Sequence, residues 1–183
     1  MSDFERSEAA SDELILVDEH DRPVGYEEKL RAHQGGGRLH RAFSVFVFNS
    51  KGEMLLQRRA SAKYHFGGLW TNACCSHPYR GQETLDAAHR RLREEFGFDT
   101  DLRELFAFQY SATDPASGLT ENEFDHVFVG RYDDEPRPNA DEISQYRWVK
   151  PDDLLADLRT NPGRYTPWFK IALDRVLAAP EPM

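Results

Sequence analysis

Short apolar runs bounded by turn residues alternate along this chain with segments whose apolar residues recur at helical spacing. ELILVD and VGYEE flank the turn-rich EHDRP, which predicts an N-terminal β-hairpin. RLHRAFSVFVFN predicts a buried strand, and SKGE predicts a turn into a further strand, MLLQRR. Because hairpins dominate over regular βαβ units, the pattern predicts an α/β (α+β) fold: a mixed β-sheet with helices on both faces.

The clearest helical pattern is ETLDAAHRRLREEFG, which places Leu85, Ala88, Leu92 and Phe96 at helical spacing and Gly97 where a helix ends. Further strands are predicted around LFAFQYSA, ENEFDHVFVGRY and QYRWV, followed by helices at PDDLLADL and PWFKIALDRVLA. A length of 183 residues, 39% of them hydrophobic, favours a single domain over residues 1–183. We expect residues 1–12 and 178–183 to be flexible.

The charge of the chain limits its partners. A formal net charge of −9 and a pI near 5.3 argue against general binding of nucleic acid or anionic membranes. An anionic small-molecule ligand remains compatible, because salt screens distant charges beyond a Debye length of about 8–10 Å. The opening residues contain no apolar core of signal-peptide length, and no run approaches the ~20 apolar residues of a membrane span. We therefore expect a soluble protein in a reducing, cytoplasmic setting.

Two adjacent cysteines, Cys74 and Cys75, lie in TNACCSHPYRG and are the only cysteines in the sequence. Two thiols are too few for a disulfide framework, and neighbouring cysteines make a poor disulfide. A structural zinc site usually takes about four Cys or His ligands in spaced pairs. Two interpretations remain, small buried hydrophobic residues or a functional thiol.

Histidines and paired carboxylates suggest a metal site. Glu121 and Glu123 stand two apart in ENEFDHVFVGRY, so a strand places both on one face, either at a solvated edge or toward a ligand. His33 and His40 are seven apart, but the intervening GGG argues against one continuous helix, and His77 follows the second cysteine by two. Three imidazoles and two carboxylates form a five-ligand set suited to manganese, magnesium or zinc.

A basic cluster follows the strand MLLQRR. Arg58, Arg59 and Lys63 lie at the predicted strand end and in the loop after it. Guanidinium and ammonium groups neutralise a diphosphate, although a pair of arginines beside a strand is commonly a solvated rim.

Several motifs together carry a family resemblance: RLHRAFSVFVFN, GGLWTNACCSHP, AHRRLREEFGF, ATDPASGLTENEF and YTPWF. In their order and spacing, over about residues 14–177, they resemble the type 1 isopentenyl-diphosphate delta-isomerases of the Nudix-fold superfamily. The separate Nudix signature is only partly present, since Arg90, Glu94, Glu95 and Gly97 fit but Arg91 stands where the hydrolases carry Glu. That departure weakens a hydrolase interpretation.

The resemblance implies a role for individual residues. Cys75, rather than Cys74, matches the catalytic thiol, and Glu123 matches the catalytic carboxylate. Tyr110 and Trp168 match aromatic residues that line the pocket. The implied ligands of one Mn²⁺, Mg²⁺ or Zn²⁺ ion are His33, His40, His77, Glu121 and Glu123.

Further matches concern the substrate. Glu95 matches a residue that helps hold a second ion, Mg²⁺, which bridges to the substrate diphosphate. The implied diphosphate-binding residues are Lys29, Arg59 and Lys63, with Arg91 in addition. The remaining histidines match no ligand and are interpreted as structural or surface residues; they are His20, His65, His89 and His126.

The implied reaction interconverts isopentenyl diphosphate and dimethylallyl diphosphate through a tertiary carbocation, with Cys75 and Glu123 exchanging acid and base roles. Trp168 is expected to stabilise the cation through its indole face. Two alternatives are a Nudix diphosphate hydrolase and a non-catalytic, metal-stabilised binding module. The expected partner is a small allylic or homoallylic diphosphate, without nucleic acid or membrane, for a monomer or weak homodimer.

Overall fold

A computed structural model of the chain describes residues 13–63 and 65–179. Within this part, nine strands form one sheet. The strands, in chain order, are β1 (Glu13–Val17), β2 (Pro23–Glu28), β3 (His40–Phe48), β4 (Met54–Arg59), β5 (Trp70–Thr71), β6 (Cys74–Ser76), β7 (Leu102–Thr113), β8 (Thr120–Arg131) and β9 (Ile143–Val149).

β3 is the centre of the sheet. One edge of β3 pairs in parallel with β8 along its whole length, from His40 opposite Glu123 to Phe48 opposite Arg131. The other edge is shared by three antiparallel partners in turn, β1 at the start, β6 in the middle and β4 at the end. β7 continues the sheet beyond β8, and β4 pairs with β9 and β5. Parallel and antiparallel pairs in one sheet confirm the predicted mixed topology.

Helices cover both faces of this sheet, as predicted. β3 buries side chains on both faces, which explains why its sequence is a nearly continuous apolar run. Phe43 packs with Leu92 on one face, whereas Phe46 packs with Phe169 on the other. The helices are α1 (Lys29–His33), α2 (Thr84–Phe96), α3 (Pro151–Thr160) and α4 (Pro167–Leu177), with a 3₁₀ turn at Pro162–Arg164.

The predicted end of α2 is confirmed. Gly97 adopts a left-handed conformation with φ of 70°, and its N–H donates to the carbonyl of Arg93 at 3.1 Å. The predicted apolar face of α2 is wrong at Leu85, which is 40% exposed, whereas Ala87 is buried in its place. Leu85 lies in the first turn of α2.

The short helix α1 was not predicted. Its N-terminus is capped by the Glu28 carboxylate, which accepts from the backbone N–H groups of Leu30 and Arg31 at 2.8 and 3.1 Å. Residues 1–12 and 180–183, which include most of the expected flexible ends, lie outside the described residues. Ala178 and Ala179 form backbone hydrogen bonds with the last turn of α4. Among the described helices, none combines the length and apolarity that crossing a membrane requires.

Candidate active site

The register of three neighbouring strands assembles the core of the site. His40 on β3 lies directly opposite Glu123 on β8, and Glu123 lies directly opposite Tyr110 on β7. Glu121 stands two residues before Glu123, so the pleat turns both carboxylates to one face, as the spacing predicted. Both carboxylates are buried.

His33 reaches this face from the last residue of α1. The chain then turns through GGG and enters β3 at His40, so the two histidines arrive from different elements. Gly37 has φ of 74°, and a Cβ there would lie 2.7 Å from the Thr120 carbonyl oxygen, so only glycine allows this close approach to β8. The GGG stretch therefore serves the geometry of the site.

Ligand atoms of His33, His40, His77 and Glu121 lie within 4.8 Å of one another. His33 Nδ1 faces the Lys29 carbonyl at 2.6 Å, and His40 Nδ1 faces the Arg38 carbonyl at 2.7 Å. A carbonyl can only accept, so each Nδ1 carries a hydrogen, and Nε2 is the ring nitrogen left to bind a metal ion.

These Nε2 atoms face the carboxylate of Glu121 and one another. His33 Nε2 lies 2.8 Å from Glu121 Oε2, and His40 Nε2 lies 3.2 Å from His77 Nε2. Burial lowers the pKa of His77 to about 4, so its ring is neutral at pH 7. Convergent imidazole lone pairs around a carboxylate are the arrangement that a divalent cation satisfies, so the donor set fits a metal ion.

Glu123 adjoins this cluster and connects it to the cavity. Its Oε1 lies 3.0 Å from His77 Nε2, and its Oε2 accepts a hydrogen bond from the Tyr110 hydroxyl at 2.5 Å. Burial and the charge of Glu121 act to raise the pKa of Glu123, but its contacts with the imidazoles of His40 and His77 outweigh them and lower it. Burial, and then Glu123, raises the pKa of Tyr110, which keeps its proton.

Cys75 is brought into the site by the β3–β6 pair, which places it opposite Ser44. The indole Nε1–H of Trp168 donates to the Cys75 sulfur at 3.0 Å, and the sulfur in turn donates to Asn72 Oδ1 at 3.1 Å. Burial raises the pKa of the Cys75 thiol to about 12, and the nearby Asp125 acts in the same direction. The thiol is therefore a proton-holding group at neutral pH.

The amide of Asn72 cannot turn away from this thiol. Its Nδ2 donates to the backbone carbonyls of Val45 and Cys74, at 3.1 and 2.8 Å. Both hydrogens are used, so Oδ1 is fixed toward Cys75. Asn72 lies within GGLWTNACCSHP, but no pattern in that motif predicted its hydrogen bond with the thiol.

A cavity of about 60 Å³ contains the thiol, both carboxylates and the aromatic side chains. It adjoins a second, more polar cavity of about 200 Å³, and the two share the cations Lys29, Lys63 and Arg91. Burial lowers the pKa of Lys29. A cavity of about 300 Å³ lies elsewhere, between the β3–β4 turn and the end of α4, and contains none of the predicted site residues.

The basic side chains are held by carboxylates and carbonyls. Lys63 forms an ion pair with Glu142, which also lies 3.4 Å from Arg91. Arg59 donates to the backbone carbonyls of His65 and Phe66, at 3.3 and 3.2 Å. Despite its acidic overall charge, the chain thus gathers four cations at the cavity that contains the thiol and both carboxylates. We call this group, Lys29, Arg59, Lys63 and Arg91, the cationic mouth.

Some predicted residues lie apart from this group. Glu95 is buried behind Arg91, which donates to its Oε1 at 2.6 Å, while Gln57 donates to its Oε2 at 2.9 Å. Cys74 is buried on the opposite face of β6, where its sulfur donates to Glu95 at 3.6 Å. Arg58 is exposed and binds the Gly68 carbonyl.

His65 is the most unexpected residue of the site. It matches no ligand of the resembled family and is predicted to be a structural or surface residue, yet it lines the cavity and contacts Glu121. No spacing or motif in the sequence links the two residues. The other histidines of that group lie elsewhere: His20 is exposed, His89 pairs with Asp99, and His126 bridges Asp21 and Glu104.

Comparison with known proteins gives three findings. A family model described as "NUDIX domain" matches residues 38–169. The chain is 52% identical to "Isopentenyl-diphosphate Delta-isomerase 2" of Aromatoleum aromaticum, over 91% of this chain and 87% of the relative. It is 54% identical to the protein of that name from Photorhabdus laumondii, over 86% of this chain and 88% of the relative.

Solved structures show the same fold at low identity. A Deinococcus radiodurans protein superposes with a TM-score of 0.73 at 24% identity, covering 88% of this chain and 98% of its own. A MutT NUDIX hydrolase from Burkholderia pseudomallei superposes with a TM-score of 0.60 at 22% identity, covering 76% of this chain and 98% of its own.

Proposed function

This chain belongs to the isopentenyl-diphosphate Delta-isomerases, within the NUDIX-domain fold, and we propose that Cys75 and Glu123 form its acid–base pair. The family's reaction interconverts isopentenyl diphosphate and dimethylallyl diphosphate, which are precursors in isoprenoid biosynthesis. Its difficulty is that an unactivated alkene must be protonated and a different carbon deprotonated. The observation that carries the proposal is one buried cavity that contains a protonated thiol, a carboxylate and two aromatic rings.

Cys75 serves as one partner of the pair. A thiol whose pKa burial raises to about 12 keeps its proton at neutral pH, which suits a group that must deliver one. The sulfur accepts from the Trp168 indole, so the same ring that faces the pocket also stabilises charge on sulfur after the proton leaves. In the reverse direction the thiolate takes the proton back.

Glu123 serves as the other partner, and Tyr110 orients it. The hydroxyl of Tyr110 donates to Oε2, while Oε1 faces the histidine cluster. A divalent ion bound by that cluster would supply positive charge that keeps Glu123 ionised and fixed. We propose His33, His40, His77, Glu121 and Glu123 as its ligands, with Mn²⁺, Mg²⁺ or Zn²⁺ as the ion.

Trp168 and Tyr110 shield the cationic carbon skeleton from water. Both rings are buried, and their centroids lie 6.2 Å apart. An indole face stabilises a desolvated cation by about 2 kcal/mol. This contribution is specific to the charged transition state, so it accelerates the reaction instead of only tightening binding.

The diphosphate lies, in this proposal, at the cationic mouth formed by Lys29, Arg59, Lys63 and Arg91. Lys29, Lys63 and Arg91 line both cavities, so an anion in the polar one leaves the hydrocarbon end directed toward Cys75. Glu95 is proposed to help hold Mg²⁺ with the bound diphosphate. Arg91 pairs with Glu95 here, so that role requires Arg91 to turn toward the diphosphate.

The hydrolase alternative has weaker support. Hydrolases of this fold use a cluster of carboxylates on the helix equivalent to α2. Here Arg91 interrupts that cluster and binds Glu94 and Glu95, at 2.7 and 2.6 Å. A guanidinium in that position neutralises the charge that would otherwise attract metal ions and activate water.

The proposed pair is tested with two cysteine variants. Cys75→Ala removes the proton donor from the cavity, so turnover of isopentenyl diphosphate should fall by about 10²–10⁴-fold. Cys74→Ala is the matched control, because Cys74 is equally small but faces Glu95 behind the sheet. Its turnover should stay within a few fold of wild type.

Circular dichroism and pyrophosphate binding establish whether each variant is folded and retains its diphosphate site. Equal losses of turnover in two folded variants would exclude a special role for Cys75. Release of phosphate by wild-type protein without movement of the double bond would support the hydrolase. Binding without turnover of either kind would support the non-catalytic module.

A further inference from the structure

We propose that His65 is a positioning residue of the metal cluster, because its imidazole holds the carboxylate of Glu121 in the orientation that the other ligands require. The inference rests on the metal site of the proposed function and adds a residue to it. His65 lies in the loop after β4, outside the ligand set proposed above.

The geometry is that of one carboxylate shared by two rings. Glu121 Oε2 faces His33 Nε2 at 2.8 Å, and His65 Nε2 contacts the other oxygen, Oε1. The rings of His33 and His65 have centroids 5.4 Å apart. His65 is only 6% exposed, so water does not replace its contact with Glu121 freely.

The chemistry of this contact determines which atom donates the hydrogen bond. An ionised carboxylate only accepts hydrogen bonds, so His65 Nε2 carries the hydrogen and donates to Oε1. With Oε1 fixed in this way, Oε2 stays directed at the cluster. Hydrogen bonds that orient metal ligands typically change metal affinity by about 10–100-fold when they are removed.

The backbone around His65 is held by contacts that do not involve its imidazole. Arg59 donates to the carbonyl oxygens of His65 and Phe66, and the N–H of Phe66 donates to Asp114 Oδ2 at 3.1 Å. Replacing the imidazole should therefore leave the loop in place. The same loop carries Lys63, so His65 also joins the metal cluster to the segment that bears a proposed diphosphate ligand.

The test measures binding of Mn²⁺ to the metal-free full-length protein, by electron paramagnetic resonance of the free ion. H65A and H65F both remove the donor, and H65F keeps an aromatic ring of similar size. Each should weaken Mn²⁺ binding by about 10–100-fold. H65Q keeps a donor N–H and should restore affinity to within about fivefold of wild type. H89A is the matched control, because His89 pairs with Asp99 at the surface, and it should bind as wild type does.

Folding is checked by circular dichroism, and whichever of H65A and H65F folds decides the result. Mn²⁺ binding within twofold of wild type in that variant overturns the inference, while the five-ligand site stands. Equal weakening in H65Q and H65A also overturns it, because a donor would then not matter. Wild-type protein that binds none of Mn²⁺, Mg²⁺ and Zn²⁺ contradicts the metal site of the proposed function and this inference with it.

Discussion

At the scale of single residues, the environment of Cys75 determines its chemistry. The sulfur accepts a hydrogen bond from the Trp168 indole N–H and faces the fixed oxygen of Asn72. Most reactive cysteines have a lowered pKa and act as nucleophiles. Here the pKa is raised to about 12, which keeps the thiol protonated at neutral pH.

This protonation state predicts the pH dependence of thiol alkylation. Metal-free Cys74→Ala protein has one thiol, and its rate of reaction with iodoacetamide should follow the concentration of thiolate. The thiolate is about 10⁻⁴ of the total thiol at pH 8. A raised pKa means that the neutral form persists up to about pH 12, so the rate should rise about tenfold per pH unit through pH 10 without a plateau. A plateau near pH 8 to 9 would show an ordinary thiol and contradict the assigned environment.

The sequence could predict those site residues that belong to motifs, including Cys75, His77 and Glu123. It did not predict His65, which lies outside those motifs, or Asn72, which lies within one of them. The role of His65 depends on where a loop brings its side chain relative to a strand 56 residues later in the chain. The role of Asn72 depends on carbonyl groups of β3 and β6 that consume both amide hydrogens.

At the scale of elements, local sequence patterns predicted the features of single helices and strands better than they predicted which strands pair. Period two on β8 correctly placed Glu121 and Glu123 on one face, and Gly97 correctly marked the end of α2. The five-residue helix α1 escaped prediction because one capping carboxylate, Glu28, stabilises it in place of an apolar stripe. One edge of β3 is shared by β1, β6 and β4. This arrangement depends on contacts between residues far apart in the chain, which local sequence patterns do not reveal.

The junction before α4 illustrates how elements hold the site. Tyr165 is buried, donates its hydroxyl to Asp157 Oδ2 at 2.5 Å and accepts from Arg147 at 3.0 Å. Three residues later, Trp168 enters the cavity from α4. Burial and the hydrogen bond to Asp157 raise the pKa of Tyr165 to about 12.

We expect Tyr165→Phe to lower the free energy of unfolding by about 1–3 kcal/mol, because it leaves Asp157 and Arg147 without this partner. Urea denaturation monitored by tryptophan fluorescence measures the change as a lower midpoint with an unchanged slope. Tyr26→Phe is the control, since Tyr26 is 41% exposed, and it should change stability by less than about 0.5 kcal/mol. An unchanged midpoint in Tyr165→Phe would contradict the structural role of this junction.

At the scale of the whole molecule, the proposed mechanism places the isomerisation on the sheet of a NUDIX-domain fold and not on α2. The α2 carboxylates are paired with Arg91, while the thiol and Glu123 meet on strands β6 and β8. An overall charge of −9 coexists with a cationic mouth because the cations are gathered around one opening. The fold class and the isomerase activity were both predicted correctly, and the assigned roles of the individual residues remain predictions.

In the proposed mechanism, the protein moves a double bond by adding and removing protons through its own acidic groups. Incubation of wild-type protein with isopentenyl diphosphate and Mg²⁺ in deuterated water tests it, with the product analysed by NMR and mass spectrometry. We expect dimethylallyl diphosphate that carries deuterium in a methyl group and keeps its diphosphate. Product without deuterium, or phosphate released without double-bond movement, would contradict it.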